Sequence, residues 1–154
     1  MRLKNKIALI TGASKGIGLA IAKLFVENGA TCILSDIDDV QGDKEVKLLG
    51  SPNSYLHLNV ALEADWQKAM DSIIQKYGRL DILINNAGVI GLEEGFGPQD
   101  PENLSLKDWR KVHEINADSV FLGCKYALKT MKKFRTGSII NMSSRSGLVG
   151  IPGA

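Results

Sequence analysis

Eight residues near the N-terminus carry the strongest chemical signal in the chain: Thr11-Gly12-Ala13-Ser14-Lys15-Gly16-Ile17-Gly18. They follow a short apolar run, Ile7 to Ile10, and open a helical pattern that begins at Gly16. The spacing is G-x-x-x-G-x-G, a variant of the dinucleotide fingerprint. One glycine permits a tight turn, another lets backbone approach a pyrophosphate, and a third lets helix and strand pack closely. A helix starting near Gly16 directs free N–H groups and partial positive charge at bound phosphates, with Gly12, Ser14, Lys15, Gly16, Ile17 and Gly18 around them. Glycines alone also make plain turns. Here the cluster lies between a strand pattern and a helix pattern, which is the context the nucleotide reading requires. It is not a Walker A loop, because Lys15 is followed by Gly16 and no G-K-[ST] occurs.

Asp36 is the second candidate. It closes the second apolar run, 18 residues beyond Gly18, where a carboxylate accepts hydrogen bonds from both hydroxyls of an adenosine ribose. Its charge repels a 2′-phosphate, so with Ile37 it points to NAD over NADP. Lys15 argues the other way, but one exposed lysine returns less than a carboxylate at the ribose costs. The plainer alternative is a turn-forming aspartate in Asp36-Ile37-Asp38-Asp39.

The elements that must position these groups alternate. Ile7–Ile10, Thr31–Ser35, Ser54–Asn59, Leu80–Ile84 and Ser138–Met142 read as five strands of near-continuous apolar character. Gly16 to about Asn28, Val40–Leu49, Glu63–Tyr77 and a long segment from Leu106 to about Phe134 read as helices. The first is expected to bury Ile17, Ala20, Ile21, Leu24 and Phe25, and the third Trp66, Ala69, Met70 and Ile73. Gly29 and Gly78 stop helices, and Ser105 with Asp108 forms a cap for the long one. Strict β/α alternation with apolar strands predicts an α/β fold: a doubly wound, Rossmann-like parallel sheet of five strands with helices on both faces. No internal boundary divides it, so residues 1–154 read as one dinucleotide-binding domain.

Composition agrees and excludes other classes. The chain has 154 residues, 44% hydrophobic and 23% charged, with 19 Lys plus Arg against 17 Asp plus Glu, a net charge of +2. That is a globular composition with no bias toward nucleic acid. The basic group Lys129, Lys132, Lys133 and Arg135 is better explained as a helix C-terminus than as a nucleic-acid patch. Cys32 and Cys124 lie outside any disulfide or zinc spacing, so no metal site is expected and both read as small buried hydrophobes. His57 and His113 are isolated in sequence and read as structural. The apolar run after the basic N-terminus is too short for a signal-peptide core, and no stretch is long enough to span a bilayer, so no membrane partner and a cytoplasmic location are expected.

Further segments complete a resemblance. Asn85-Asn86-Ala87-Gly88 follows the fourth strand, Asn116 sits in Ile115-Asn116-Ala117, and Ser143-Ser144 ends the fifth strand. With the glycine loop and in this order, the chain resembles the short-chain dehydrogenase/reductase family over nearly its whole length. The resemblance implies a nicotinamide cofactor, NAD, and hydride transfer to or from a secondary alcohol or ketone. It implies that Asn86, Ala87 and Gly88 line the adenosine side and stabilise the sheet. It further implies that Asn116 holds a relay water through its carbonyl and that Ser144 hydrogen-bonds the substrate oxygen. Each has a bland alternative: a turn at Asn85-Asn86, a helix kink at Asn116, a cap at Ser144.

Two departures stand out. The family has Asp-Val after the third strand, the Asp receiving the adenine amino group. Here Asn59-Val60 stands there, and an amide oxygen accepts the same bond without charge. The family's catalytic Tyr-x-x-x-Lys belongs about a dozen residues past Ser144, beyond Gly153-Ala154. The expectation is therefore a cofactor-binding part of a longer enzyme of roughly 250 residues, inactive by itself. The alternative is a non-catalytic dinucleotide-binding module. If the chain ended there, the fifth strand would be an open edge, and Val120, Phe121, Leu122 and Leu128 would lack cover. The family's long helix helps form a dimer interface, so a homo-oligomer is expected. The segments around Phe121 and Ile140 are similar to members acting on hydroxysteroids or cyclic secondary alcohols.

Overall fold

The structure, a computed structural model, describes residues 1–150; the expectation drawn from Gly153-Ala154 lies outside them. The elements are β1 (Ile7–Thr11), α1 (Gly16–Glu27), β2 (Thr31–Asp36), α2 (Asp39–Leu49), β3 (Ser54–His57), α3 (Glu63–Tyr77), β4 (Ile82–Asn85), α4 (Leu106–His113), α5 (Ser119–Phe134) and β5 (Ser138–Asn141). All strand pairs are parallel, in the order β3-β2-β1-β4-β5. The α/β, Rossmann-like expectation holds.

Alternate side chains of each strand point to opposite faces, and each face receives helices. Leu9, Ile33 and Leu83 pack beneath α3 and α5, against Trp66, Met70, Ile73, Leu122, Tyr126 and Met131. Ala8, Ile10, Cys32, Leu34, Ile82 and Ile84 pack on the other face against Ala22, with Leu19, Phe25 and Val26 of α1 and Tyr55 of β3 at its margin. The third-helix stripe is as expected: Trp66, Ala69, Met70 and Ile73 are buried. Trp66 also donates its indole N–H to the Val60 carbonyl at 2.9 Å.

The phase of α1 differs from the expected stripe. Ile17 and Leu24 are exposed, and Gly18 and Ala22 are the buried residues of the helix. A Cβ on Gly18 would overlap the Gly12 carbonyl oxygen, so this glycine must face inward, and it sets the rotation of the helix. Similarly Leu122 is buried in the core, while Phe121 and Leu128 are exposed. Cys32 is fully buried, whereas Cys124 is only half-buried, against the expectation for it. Burial pushes the Cys32 thiol up to about 12.

The segment expected as one long helix is two. After His113 the chain takes one wide π turn, Glu114–Asp118, before α5 begins. Ser119 Oγ donates to the Ile115 carbonyl at 2.6 Å, a hydroxyl back-bond that accompanies helix bending. The cap at Ser105 is present, accepting from Asp108 N at 3.0 Å. Two strands end earlier or later than their apolar runs: β3 stops at His57, and β4 begins at Ile82 and ends on Asn85. At the amino end of the sheet, buried Asp81 accepts from Ile7 N at 2.9 Å and from the Arg79 guanidinium. Among the described residues no helix is long and apolar enough to cross a membrane.

Two outcomes follow. Trp66→Ala should cost about 3–5 kcal/mol in denaturant unfolding, through lost burial and a cavity under α3. In the native protein at pH 8, a thiol reagent should label Cys124 and spare Cys32; equal labelling would mean the α1 face of the sheet is open.

Candidate functional site

The sheet order places a switch point between β1 and β4, since the chain leaves β1 toward one edge and continues from β4 toward the other. The loops after these two strands part there and leave a crevice, the usual place for a ligand in this architecture. The glycine loop follows β1, and Asn86-Ala87-Gly88 follows β4.

A polar pin joins the two loops. Thr11, buried at the end of β1, accepts from Asn86 N and Ala87 N, both at 3.0 Å. Its hydroxyl donates to the Ile84 carbonyl at 3.3 Å. Asn86 Nδ2 returns the link, donating to the Thr11 and Gly12 carbonyls at 2.9 and 3.2 Å. Sequence reasoning missed Thr11; the Thr before the first glycine was its only signal. The glycines divide the work as the fingerprint requires. Gly12 has φ +62, and a Cβ on it would meet Ala87 Cα at 2.9 Å. Gly18 is closed by Gly12 and Asn86. Gly16 has φ +56 and open space where a Cβ would be.

That open space lies at the start of α1. Its N-cap, Lys15, makes no side-chain cap hydrogen bond, so no side chain of the cap answers the first N–H groups of the helix. A loop that is crowded at Gly12 and Gly18, open at Gly16 and uncapped fits a diphosphate in chemistry and shape.

Asp36 is held from every side. Its Oδ2 accepts from Ser14 N at 3.1 Å and Ser14 Oγ at 2.6 Å. Its Oδ1 accepts from Ile37 N at 2.8 Å and Asp38 N at 3.2 Å. The turn-forming role and the tie to the glycine loop are thus both real, and they share one carboxylate. Asn59 and Val60 follow β3. Asn59 Oδ1 accepts from Ala61 N at 3.1 Å, which leaves the amide oxygen a second lone pair. Asn59 N donates to Asp65 Oδ2 at 3.2 Å, a partner the sequence reading did not foresee.

The remaining candidates meet on the other side of the loops. Ile17, Asn86, Ala87, Gly88, Asn116 and Ser144 line one cleft of about 460 Å³, with Val120 and Met142. Asn116 lies in the π turn and pairs with Val89 as a strand would: Oδ1 accepts from Val89 N at 2.8 Å, and Nδ2 donates to Val89 O at 2.7 Å. The kink and the site position therefore coincide. Ser144 caps a short 3₁₀ turn, Arg145–Gly147, accepting from Ser146 N at 3.1 Å. Gly12, Ser14, Lys15, Gly16, Asp36, Ile37, Asn59 and Val60 lie outside that cleft. A larger groove, about 690 Å³, runs between α3 and α5 past Asp71, Tyr126 and Lys133 and touches none of these residues.

The histidines, isolated in sequence, have neighbours in space. His57 Nδ1 lies 2.8 Å from Asp39 Oδ1. His113 stacks on Trp109 with ring centroids 4.1 Å apart.

A parallel α/β sheet with a glycine-rich turn at its switch point defines the Rossmann-like class. Residues 6–154 match the model of the family described as short chain dehydrogenase, and the chain belongs to that family. It is 40% identical over 156 residues to a cyclopentanol dehydrogenase of a Comamonas species, covering 99% of this chain and 60% of that protein. It is 38% identical over 145 residues to a 3-beta-hydroxysteroid dehydrogenase of Comamonas testosteroni, covering 94% and 54%. A 3-alpha-(or 20-beta)-hydroxysteroid dehydrogenase of Mycobacterium tuberculosis is 35% identical over 149 residues, covering 97% and 55%. The chain thus spans between half and two thirds of the length of these relatives.

Thr11→Val keeps the shape of the side chain but strands the Asn86 and Ala87 N–H groups, which are half-buried. It should cost about 2–3 kcal/mol in denaturant unfolding; a change below a few tenths would show that the pin between the two loops carries no load.

Proposed function

We propose that residues 1–154 form the dinucleotide-binding unit of an NAD-dependent oxidoreductase that interconverts a secondary alcohol and a ketone. The observation that carries this reading is the cleft beside the glycine loop, where Asn86 and Gly88, Asn116, and Ser144 converge from three separate stretches of chain. When bound, the nicotinamide dinucleotide supplies the hydride chemistry. The chain's own residues bind and orient. Backbone N–H groups around Gly12, Ser14, Lys15, Gly16, Ile17 and Gly18 hold the diphosphate. Asp36, with Ile37 beside it, releases the Ser14 hydroxyl to accept from the ribose hydroxyls, and its charge repels a 2′-phosphate. Asn59 offers its amide oxygen to the adenine amino group, and Val60 closes that side. Asn86, Ala87 and Gly88 form the floor between the adenosine and the cleft.

In the cleft, the Ser144 hydroxyl donates to the substrate oxygen, and the Asn116 carbonyl holds a water that relays the proton. The wide turn supports this second role, because π geometry loosens the regular pairing of helical carbonyls. The whole protein works in the cytoplasm as a homo-oligomer on a small alcohol or ketone. The relatives' printed names favour a cyclic secondary alcohol or a hydroxysteroid as substrate.

Calorimetric titration of NAD and NADP against the folded chain tests the reading. NAD should bind more tightly; tighter binding of NADP would overturn the role of Asp36. Asp36→Ala should weaken NAD about tenfold or more, since it removes charge-assisted hydrogen bonds, and should narrow the gap between the two cofactors. An unchanged ratio would mean that Asp36 does not touch the ribose.

A further inference from the structure

The corner at the end of β2 is braced from β3 by a side chain that the proposed binding scheme leaves unused. Tyr55 projects under α2, where Gly42 makes room: a Cβ at that position would overlap the phenol ring. The ring reaches past the helix, and its hydroxyl arrives at the carboxyl end of the sheet. There it donates to the Asp36 carbonyl at 2.7 Å and lies 2.8 Å from Asp39 Oδ1. One proton faces two acceptors, so the bond is shared between them. The Asp36 carbonyl also receives Leu58 N at 3.0 Å. Asp39 Oδ1 in turn meets His57 Nδ1 at 2.8 Å.

Residues 36–39 are therefore gripped on two sides. The glycine loop holds the Asp36 carboxylate through Ser14, and β3 holds the backbone and the start of α2 through Tyr55 and His57. His57 first, and Tyr55 second, keep the Asp39 carboxyl below the ordinary carboxylate range. Burial, then the Asp39 carboxylate beside it, pushes the Tyr55 phenol far above its ordinary range, so the hydroxyl stays a donor. A phenylalanine would fill the same space under Gly42. The hydroxyl is not needed for packing; what it adds is the position of the Asp36 corner.

We propose that Tyr55 is a positioning residue for cofactor choice: with Asp39 and His57 it fixes the corner that presents the Asp36 carboxylate to the adenosine ribose. The inference rests on the dinucleotide reading above. A rigid corner favours the ribose diol, whose hydroxyls donate to the carboxylate where it stands. A 2′-phosphate needs that carboxylate to move away, so loosening the corner penalises NAD and not NADP.

The test is titration of NAD and NADP against the wild-type chain, Tyr55→Phe and His57→Leu. Tyr55→Phe should bind NAD about 5-fold more weakly, the worth of one hydrogen bond, with NADP within about twofold of wild type. The NAD-to-NADP ratio then narrows. His57→Leu, at a half-exposed position, should shift the ratio the same way by about twofold. Equal losses for both dinucleotides, or no change for either, overturn the proposal, because a purely structural hydroxyl affects both alike. If Tyr55→Phe does not fold, an unchanged ratio in His57→Leu overturns it. A wild-type chain that binds neither dinucleotide removes the nucleotide reading itself, and this inference with it.

Discussion

The site depends on how closely two loops approach one another at the carboxyl ends of β1 and β4. Gly18 lies against the Gly12 carbonyl, Gly12 against Ala87, and Asn86 spans both loops with its side-chain amide. Nothing larger than a hydrogen fits at the two glycines. The contact fixes the rotation of α1 and hence the direction in which the free start of that helix points. It also holds Asn86 to Gly88 at the mouth of the cleft. A loop that must pack this tightly cannot wander, and a preformed cradle loses less freedom on binding than a mobile one.

Around this contact the polar groups form a chain of mutual support. Thr11 ties the loops, Ser14 ties the glycine loop to Asp36, and Tyr55 and Asp39 tie the Asp36 corner to β3. Asn116 ties the helix to the strand-like stretch at Val89. Thr11, Ser14, Asp36, Asn86 and Asn116 each meet a protein partner, so these side chains are oriented before any ligand arrives. At the far end of the same sheet, Asp81 gathers Ile7 N and Arg79, and no site residue is near. The two ends of the β1/β4 pair are thus both fastened, one for architecture alone and one where chemistry is proposed.

Much of this was legible in the residues. The glycine loop could be read because only glycine serves a crowded or left-handed turn. The α3 stripe could be read because Trp66, Ala69, Met70 and Ile73 repeat at helical spacing. The β/α alternation gave the sheet. The face of α1 could not be read. Ile17, Leu19, Ala20, Ile21, Leu24 and Phe25 spread apolar character round most of the helix, and the residue that decides its rotation, Gly18, has no side chain to count. The Tyr55–Asp39–His57 cluster was hidden because its members lie up to 18 residues apart and meet only when β2 and β3 pair. Asn116 could be placed by motif, but its bidentate hold on Val89 required the loop after β4 to fold back.

The wide turn at Glu114–Asp118 has one more consequence. Because it holds an extra residue, it offsets the two helical segments that it joins. Deleting a single amino acid from it would rewind α4 and α5 into one regular rod and swing everything upstream by about 100°. Trp109 and the Ser105 cap would then look out over a different neighbour, and Asn116 would lose its grip on Val89. The register of that one loose coil therefore acts as a spacer, with a fixed number of residues holding the wall of the cleft beside the glycine loop.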